Sequence, residues 1–125
     1  MQILVGTDGS EGAGRAVELA ARLSRDLKSS LNIVHVVTLD DPPLDQQNDH
    51  ASIGRRRAEA LGAADVRSAT LAGNNVAECI LETASRDKAD LIVVGKRGRA
   101  RITGLLLGSV SQMLVSNAKC AVIVV

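Results

Sequence analysis

No phenylalanine, tyrosine or tryptophan occurs anywhere in the 125 residues. The core must therefore be Val, Ile, Leu and Ala, which favours a β-branched sheet covered by Ala- and Leu-rich helices. The length fits one domain, spanning residues 1–125. A chain of this size buries roughly two-thirds of its unfolded surface, enough for one core. The missing rings also bear on function. Single-stranded nucleic-acid binders stack bases on aromatic side chains. A net charge of +1 supplies no general field for DNA either. No nucleic-acid partner is expected, and any purine bound here must lie against aliphatic side chains.

The apolar pattern alternates between short runs and amphipathic stretches. Gln2 to Gly6 reads as a strand, and Glu11 to Leu27 as a helix capped by Ser10. That helix is expected to bury Ala16, Leu19, Ala20, Leu23 and Leu27. Leu31 to Val37 reads as a second strand, apolar nearly throughout, as for a strand covered on both faces. Thr38 to Asn48 holds both prolines, Pro42 and Pro43, and reads as a loop. A short helix over His50 to Leu61 places Arg55, Arg56 and Arg57 on its wet face. Val66 to Leu71 gives the weakest strand signal. Val76 to Arg86 follows as a helix with Val76, Ile80, Leu81 and Ala84 inward. Leu91 to Val94 is a strand, Leu106 to Ser116 a helix and Ala121 to Val125 a last strand.

Strands alternating with helices predict a parallel sheet with right-handed crossovers. The expected fold class is α/β, a single doubly wound, Rossmann-like domain with helices on both faces. Its five strands are expected in the order 3-2-1-4-5. Ligands of such sheets sit at the carboxyl ends of the strands, where strand order reverses. Two loops at that rim carry chemistry. One is Gly6 to Ser10, GTDGS. The other is Gly95 to Ser109, GKRGRARITGLLLGS, with the cations Lys96, Arg97, Arg99 and Arg101 and no acid. A glycine-rich loop leading into a helix N-terminus suits a polyphosphate, because main-chain N–H groups approach the anion closely. The loop is not a Walker A motif, and no dinucleotide fingerprint follows the first strand. Taken alone, its chemistry is equally that of a surface loop with glycines at turns.

The spacing Gly95, two residues, Gly98, nine residues, Gly108-Ser109 resembles the nucleotide-binding pattern of ATP-binding universal stress proteins at every fixed position. The resemblance continues through LLLGSVSQMLVSNAKCAVIVV, ILVGTDGSEGA and LNIVHVV, and is weakest over Asp40 to Ala72. It implies an adenine nucleotide, ATP or AMP/ADP, as ligand, with Mg²⁺ carried by the phosphates. It places Asp8 at the ribose, Thr7 in the same pocket and the Val36 main chain at the adenine edge. Gly95 and Gly98 would lie under ribose and phosphates. Gly108, Ser109 and Val110 would hold phosphates through main-chain N–H groups. Lys96 and Arg97 occupy variable positions, open to phosphate pairing or to solvent. Without the resemblance, Asp8 is a turn-forming or capping aspartate, Val36 a core residue and Ser109 a helix cap.

No catalytic set is evident. His35 reads as a core or pocket-edge histidine, and His50 says little. Binding rather than turnover is expected, with slow ATP hydrolysis left open. A nucleotide-free scaffold of the same fold is the alternative. Adenylyl-transfer signatures of the S-G-G-x-D-S and H-x-G-H type are absent, and a receiver domain would need a lysine after its fifth strand. Cys79 and Cys120 are expected to be buried thiols in a reducing cytoplasm. Met1 runs directly into ILV, leaving no room for a signal peptide, and no apolar run suggests a membrane span. The apolar terminal run AVIVV is an exposed-edge hazard unless it pairs, and the resemblance implies a homodimer through it.

Overall fold

The computed structural model describes residues 1–96 and 107–125. Arg97, Gly98, Arg99, Arg101 and the expected helix start at Leu106 lie outside the described residues. Five strands, β1 (Gln2–Gly6), β2 (Ser30–Val37), β3 (Val66–Ala72), β4 (Leu91–Val94) and β5 (Ala121–Val124), form one sheet in the order β3-β2-β1-β4-β5. Every ladder is parallel. The helices are α1 (Glu11–Leu27), α2 (His50–Ala60), α3 (Val76–Asp87) and α4 (Ser109–Asn117). No helix among the described residues is long and apolar enough to cross a membrane.

The period-two alternation of the strands feeds two cores. Ile3, Val5, Leu31, Ile33 and Val93 point toward α1 and α2. Leu4, Val34, Val36, Ile92 and Val94 point toward α3 and α4. Aliphatic side chains dominate both layers, and Ile33, Ile92 and Val93 are wholly inaccessible.

The face of α1 keeps the expected Ala16 and Ala20 but not the three leucines. Its buried residues are Ala13, Ala16, Val17, Ala20 and Ala21, with Gly12 and Ser24. Leu19 and Leu23 only flank that core, and Leu27 is 52% exposed. The helix lies over the middle of the sheet, where Ile3, Val5 and Val93 already fill the space, so close packing admits only small side chains beneath it. Its ends behave as read. Ser10 Oγ accepts the Ala13 N–H at 3.2 Å, and Lys28 closes the helix in the left-handed conformation.

In α3, Ile80 and Ala84 are buried, joined by Ala77 and Thr83, while Val76 and Leu81 are half-buried. The faint β3 pairs with β2 along all seven of its residues. Its weak signal is that of an edge strand whose alternate positions meet solvent. Arg55, Arg56 and Arg57 are exposed on α2, and Arg57 bridges to Glu18 of α1 at 3.0 Å. Both cysteines are free but only partly buried, correcting the expectation of buried thiols. Burial nonetheless raises the Cys120 thiol above its ordinary value.

Candidate functional site

Strand order reverses at β1, whose neighbours β2 and β4 lead their chains to opposite sides. A cavity of about 340 Å³ opens there, at the carboxyl ends of β1, β2 and β4. The structure brings Thr7, Asp8, Val36, Gly95, Lys96, Gly108, Ser109 and Val110 to its walls. Gly98 and the loop cations Arg97, Arg99 and Arg101 fall outside the described residues.

Each wall has a local cause. The Gly6–Ser10 loop is an Asx turn in which Asp8 Oδ1 accepts the Ser10 N–H at 2.9 Å. Gly9 holds a positive φ of 80° there. A Cβ on Gly9 would overlap the His50 imidazole, coming within 2.7 Å of Nε2. His50 opens α2 and meets the buried His35 ring edge-on, with centroids 5.1 Å apart. Sequence reading took His50 as uninformative, yet it backs the loop that carries Asp8. Neither histidine lines the cavity.

On β2 the backbone groups alternate sides. Leu31 N–H and Val37 C=O bond toward the β3 side, to Asp65 O and Gly73 N–H. Ser30 N–H and Val34 C=O bond toward the β1 side, to Met1 O and Thr7 N–H. Val36 therefore turns its N–H and C=O to the β1 side, one rung beyond the last β1 bond. Its main chain faces the cavity as a donor followed by an acceptor.

On the far wall, β4 is followed by Gly95, where a Cβ would lie 2.8 Å from the Gly12 carbonyl carbon. Glycine is demanded here by the backbone of α1's first turn, whatever it also allows a ligand. The next residue, Lys96, is a main-chain junction. Its N–H donates to Val125 O at 2.8 Å, and its carbonyl accepts from Gly108 N–H at 2.7 Å and Ser111 Oγ at 2.8 Å.

Helix α4 begins at Ser109, not Leu106. Gly108 is its N-cap, extended at φ −76°, ψ 170°, and Leu107 is a bend. Ser109 is thus the first helical residue rather than the cap. The Gly108 N–H is engaged by Lys96, so that proposed anion donor is already used. Helix geometry leaves the Ser109 and Val110 N–H groups without intrahelical acceptors, at the positive end of the helix.

Sequence reasoning missed Thr38, Val76 and Ile80, which line the cavity together with Asp41. Val76 and Ile80 supply an aliphatic floor, and Gly6 lets Ile80 approach, since a Cβ there would come within 2.9 Å of Ile80 Cδ1. No local signal marks them. Among the described lining residues, the ionisable side chains are Asp8, Asp41 and Lys96. The cavity is therefore polarised, with carboxylates toward β1 and β2 and a lysine with a helix N-terminus toward β4.

A parallel sheet of this order with a polarised cavity at its switch point defines a small-ligand-binding, doubly wound α/β domain. Within that class the chain belongs to the universal stress protein family, whose family model matches residues 1–125. A universal stress protein of Thermus aquaticus is 36% identical over 132 residues, covering 98% of this chain and 96% of that relative. The crystal structure of a universal stress protein in complex with cAMP is 32% identical, with a TM-score of 0.82 over 100% of this chain and 95% of that one. Universal stress protein UspA from Lactobacillus plantarum, 23% identical, shares the fold with a TM-score of 0.86 over 100% of this chain and 97% of its own.

Proposed function

We propose that this chain binds an adenine nucleotide, ATP or its shorter forms AMP and ADP, in the switch-point cavity, and acts as a stress-response regulator. The observation that carries the reading is the pairing of Val36 with the α4 N-terminus across one cavity. The Val36 N–H and C=O match the adenine edge, where the N1 acceptor adjoins the 6-amino donor. The base lies between Val76, Ile80 and Val94, in place of aromatic stacking. Asp8 accepts from the ribose hydroxyls while keeping its turn bond, since a carboxylate offers about four acceptor sites. Ser109 and Val110 donate main-chain N–H groups to phosphate, with Lys96 lining the same cavity. Any Mg²⁺ rides on the phosphates. The 32%-identical universal stress protein solved in complex with cAMP supports an adenine-nucleotide ligand.

The output is conformational rather than catalytic. Lys96 ties the phosphate end of the cavity to the end of β5, the open edge of the sheet. That edge is the homodimer surface, and phosphate occupancy is felt there through the Lys96 main chain. The setting is cytoplasmic.

The test is direct. Purified protein is denatured and any released nucleotide identified, and ATP, ADP, AMP and cAMP are titrated by calorimetry. A micromolar dissociation constant, about −8 kcal/mol, is expected for at least one. Binding to none refutes the reading and leaves a nucleotide-free scaffold. Light scattering at tens of micromolar tests the dimer, and a monomer refutes it.

A further inference from the structure

The loop after β2 closes on itself at Thr38–Asp41. Asp41 N–H donates to Thr38 O at 3.1 Å, and Asp41 Oδ2 accepts from Thr38 N–H at 2.7 Å and from Thr38 Oγ1 at 3.2 Å. Thr38 shares the parity of Val34 and Val36, so its N–H also points to the β1 side. The carboxylate that caps it stands in line with the Val36 donor and acceptor, at the next rung. Along this edge the order is Val34 C=O, taken by Thr7, then Val36 N–H, Val36 C=O and the Asp41 carboxylate. Both Thr38 and Asp41 line the cavity.

We infer that Asp41 is the specificity-determining residue of the site, selecting 6-aminopurine over 6-oxopurine nucleotides. The inference rests on the nucleotide reading above. A base whose N1 meets Val36 N–H puts one 6-amino proton on Val36 C=O, and the second faces Asp41. A carboxylate accepts and does not donate, and one hydrogen bond to a charged group discriminates strongly when its partner is missing. A 6-oxo group would instead present an acceptor to both Val36 C=O and Asp41, with two acceptors opposed and no proton between them. Specificity then comes from repulsion as much as from attraction.

The test is a cycle between this side chain and the exocyclic group. Dissociation constants for AMP and inosine 5′-monophosphate are measured by calorimetry on wild type and Asp41→Asn. Asparagine keeps an oxygen for Thr38 N–H and adds an N–H₂ that a 6-oxo group can accept from. The wild-type preference for AMP is expected to shrink by about tenfold or more. Losing a negative charge strengthens both anionic nucleotides alike, so only the ratio reports on the base. Circular dichroism checks the fold, and Asp41→Ser, which removes the carboxylate with a shorter side chain, is expected to move the ratio the same way. If wild type binds AMP and neither variant moves the ratio, or both ligands weaken equally, Asp41 only shapes the loop and the assignment is wrong. If wild type binds neither ligand, the nucleotide reading itself falls and carries this one with it.

Discussion

Gly95 belongs to the glycine pattern, but the structure gives it a second duty that can be measured without ligand. An alanine Cβ at this position would lie 2.8 Å from the Gly12 carbonyl carbon and 3.0 Å from both Ala13 N and Gly12 O. Carbon atoms at rest sit about 3.5–4.0 Å apart. All three neighbours are backbone atoms in the first turn of α1, so none can rotate aside, and the helix start must shift by roughly 0.5–1 Å. Overpacking of this kind costs about 1–3 kcal/mol. For a chain of this length that is a fall in Tm of roughly 3–12 °C. Scanning calorimetry of ligand-free Gly95→Ala against wild type is the assay. Affinity is expected to fall as well, because α1's first turn holds the Ser10 cap and the Asp8 loop. A Tm within about 1 °C of wild type, with binding lost, would show that Gly95 serves only the ligand and that the close approach to α1 is wrong.

Three further outcomes are expected. Gly14 is exposed at the end of the first turn of α1 with nothing within 4 Å of where a Cβ would stand, so Gly14→Ala should stabilise by about 0.5–1 kcal/mol, read as a rise in Tm. Ser109→Pro removes one N–H at a first helical position, where proline is accommodated, and Gly108 already has the extended backbone that proline requires. It should melt like wild type yet bind nucleotide about 10-fold or more weakly; unchanged affinity would take Ser109 N–H out of the phosphate site. The Asp49 carboxyl caps α2, and hydrogen bonds from the Ser52 hydroxyl and N–H hold it below its ordinary value of 3.8. A depressed folded value means stability present above the unfolded value and lost as pH falls through the folded one. The Tm gap between wild type and Asp49→Ala should therefore persist from neutral pH down to that ordinary value and close as pH falls below it. A gap independent of pH would refute the charged cap.

Much of this domain is legible along the chain because its signals are short-range. The bounds of β1, α1 and β4 follow from apolar periodicity, the Ser10 cap and flanking turn residues. The α1 face followed only at Ala16 and Ala20. Its three leucines are its largest apolar side chains, but the space above a filled sheet selected alanines. The α4 start was drawn early because Leu106 and Leu107 look helical, whereas Gly108 takes the extended cap conformation. Half of the cavity was written in two recognisable loops. The other half comes from Thr38, Asp41, Val76 and Ile80, ordinary residues that matter only by position.

Read by itself, the sequence determined the alternation of strands and helices, an aliphatic core and the glycine spacing that names the family. Each of these depends on neighbours a few residues apart, where backbone sterics and side-chain period act. Tertiary structure decided the rest. Placing β1 between β2 and β4 left the Val36 main chain unpaired by β1 and facing α4. It also seated His50 behind Gly9 and aligned Asp41 with the Val36 edge. Those relations join residues remote in sequence through the order and register of a parallel sheet, and no local pattern encodes them.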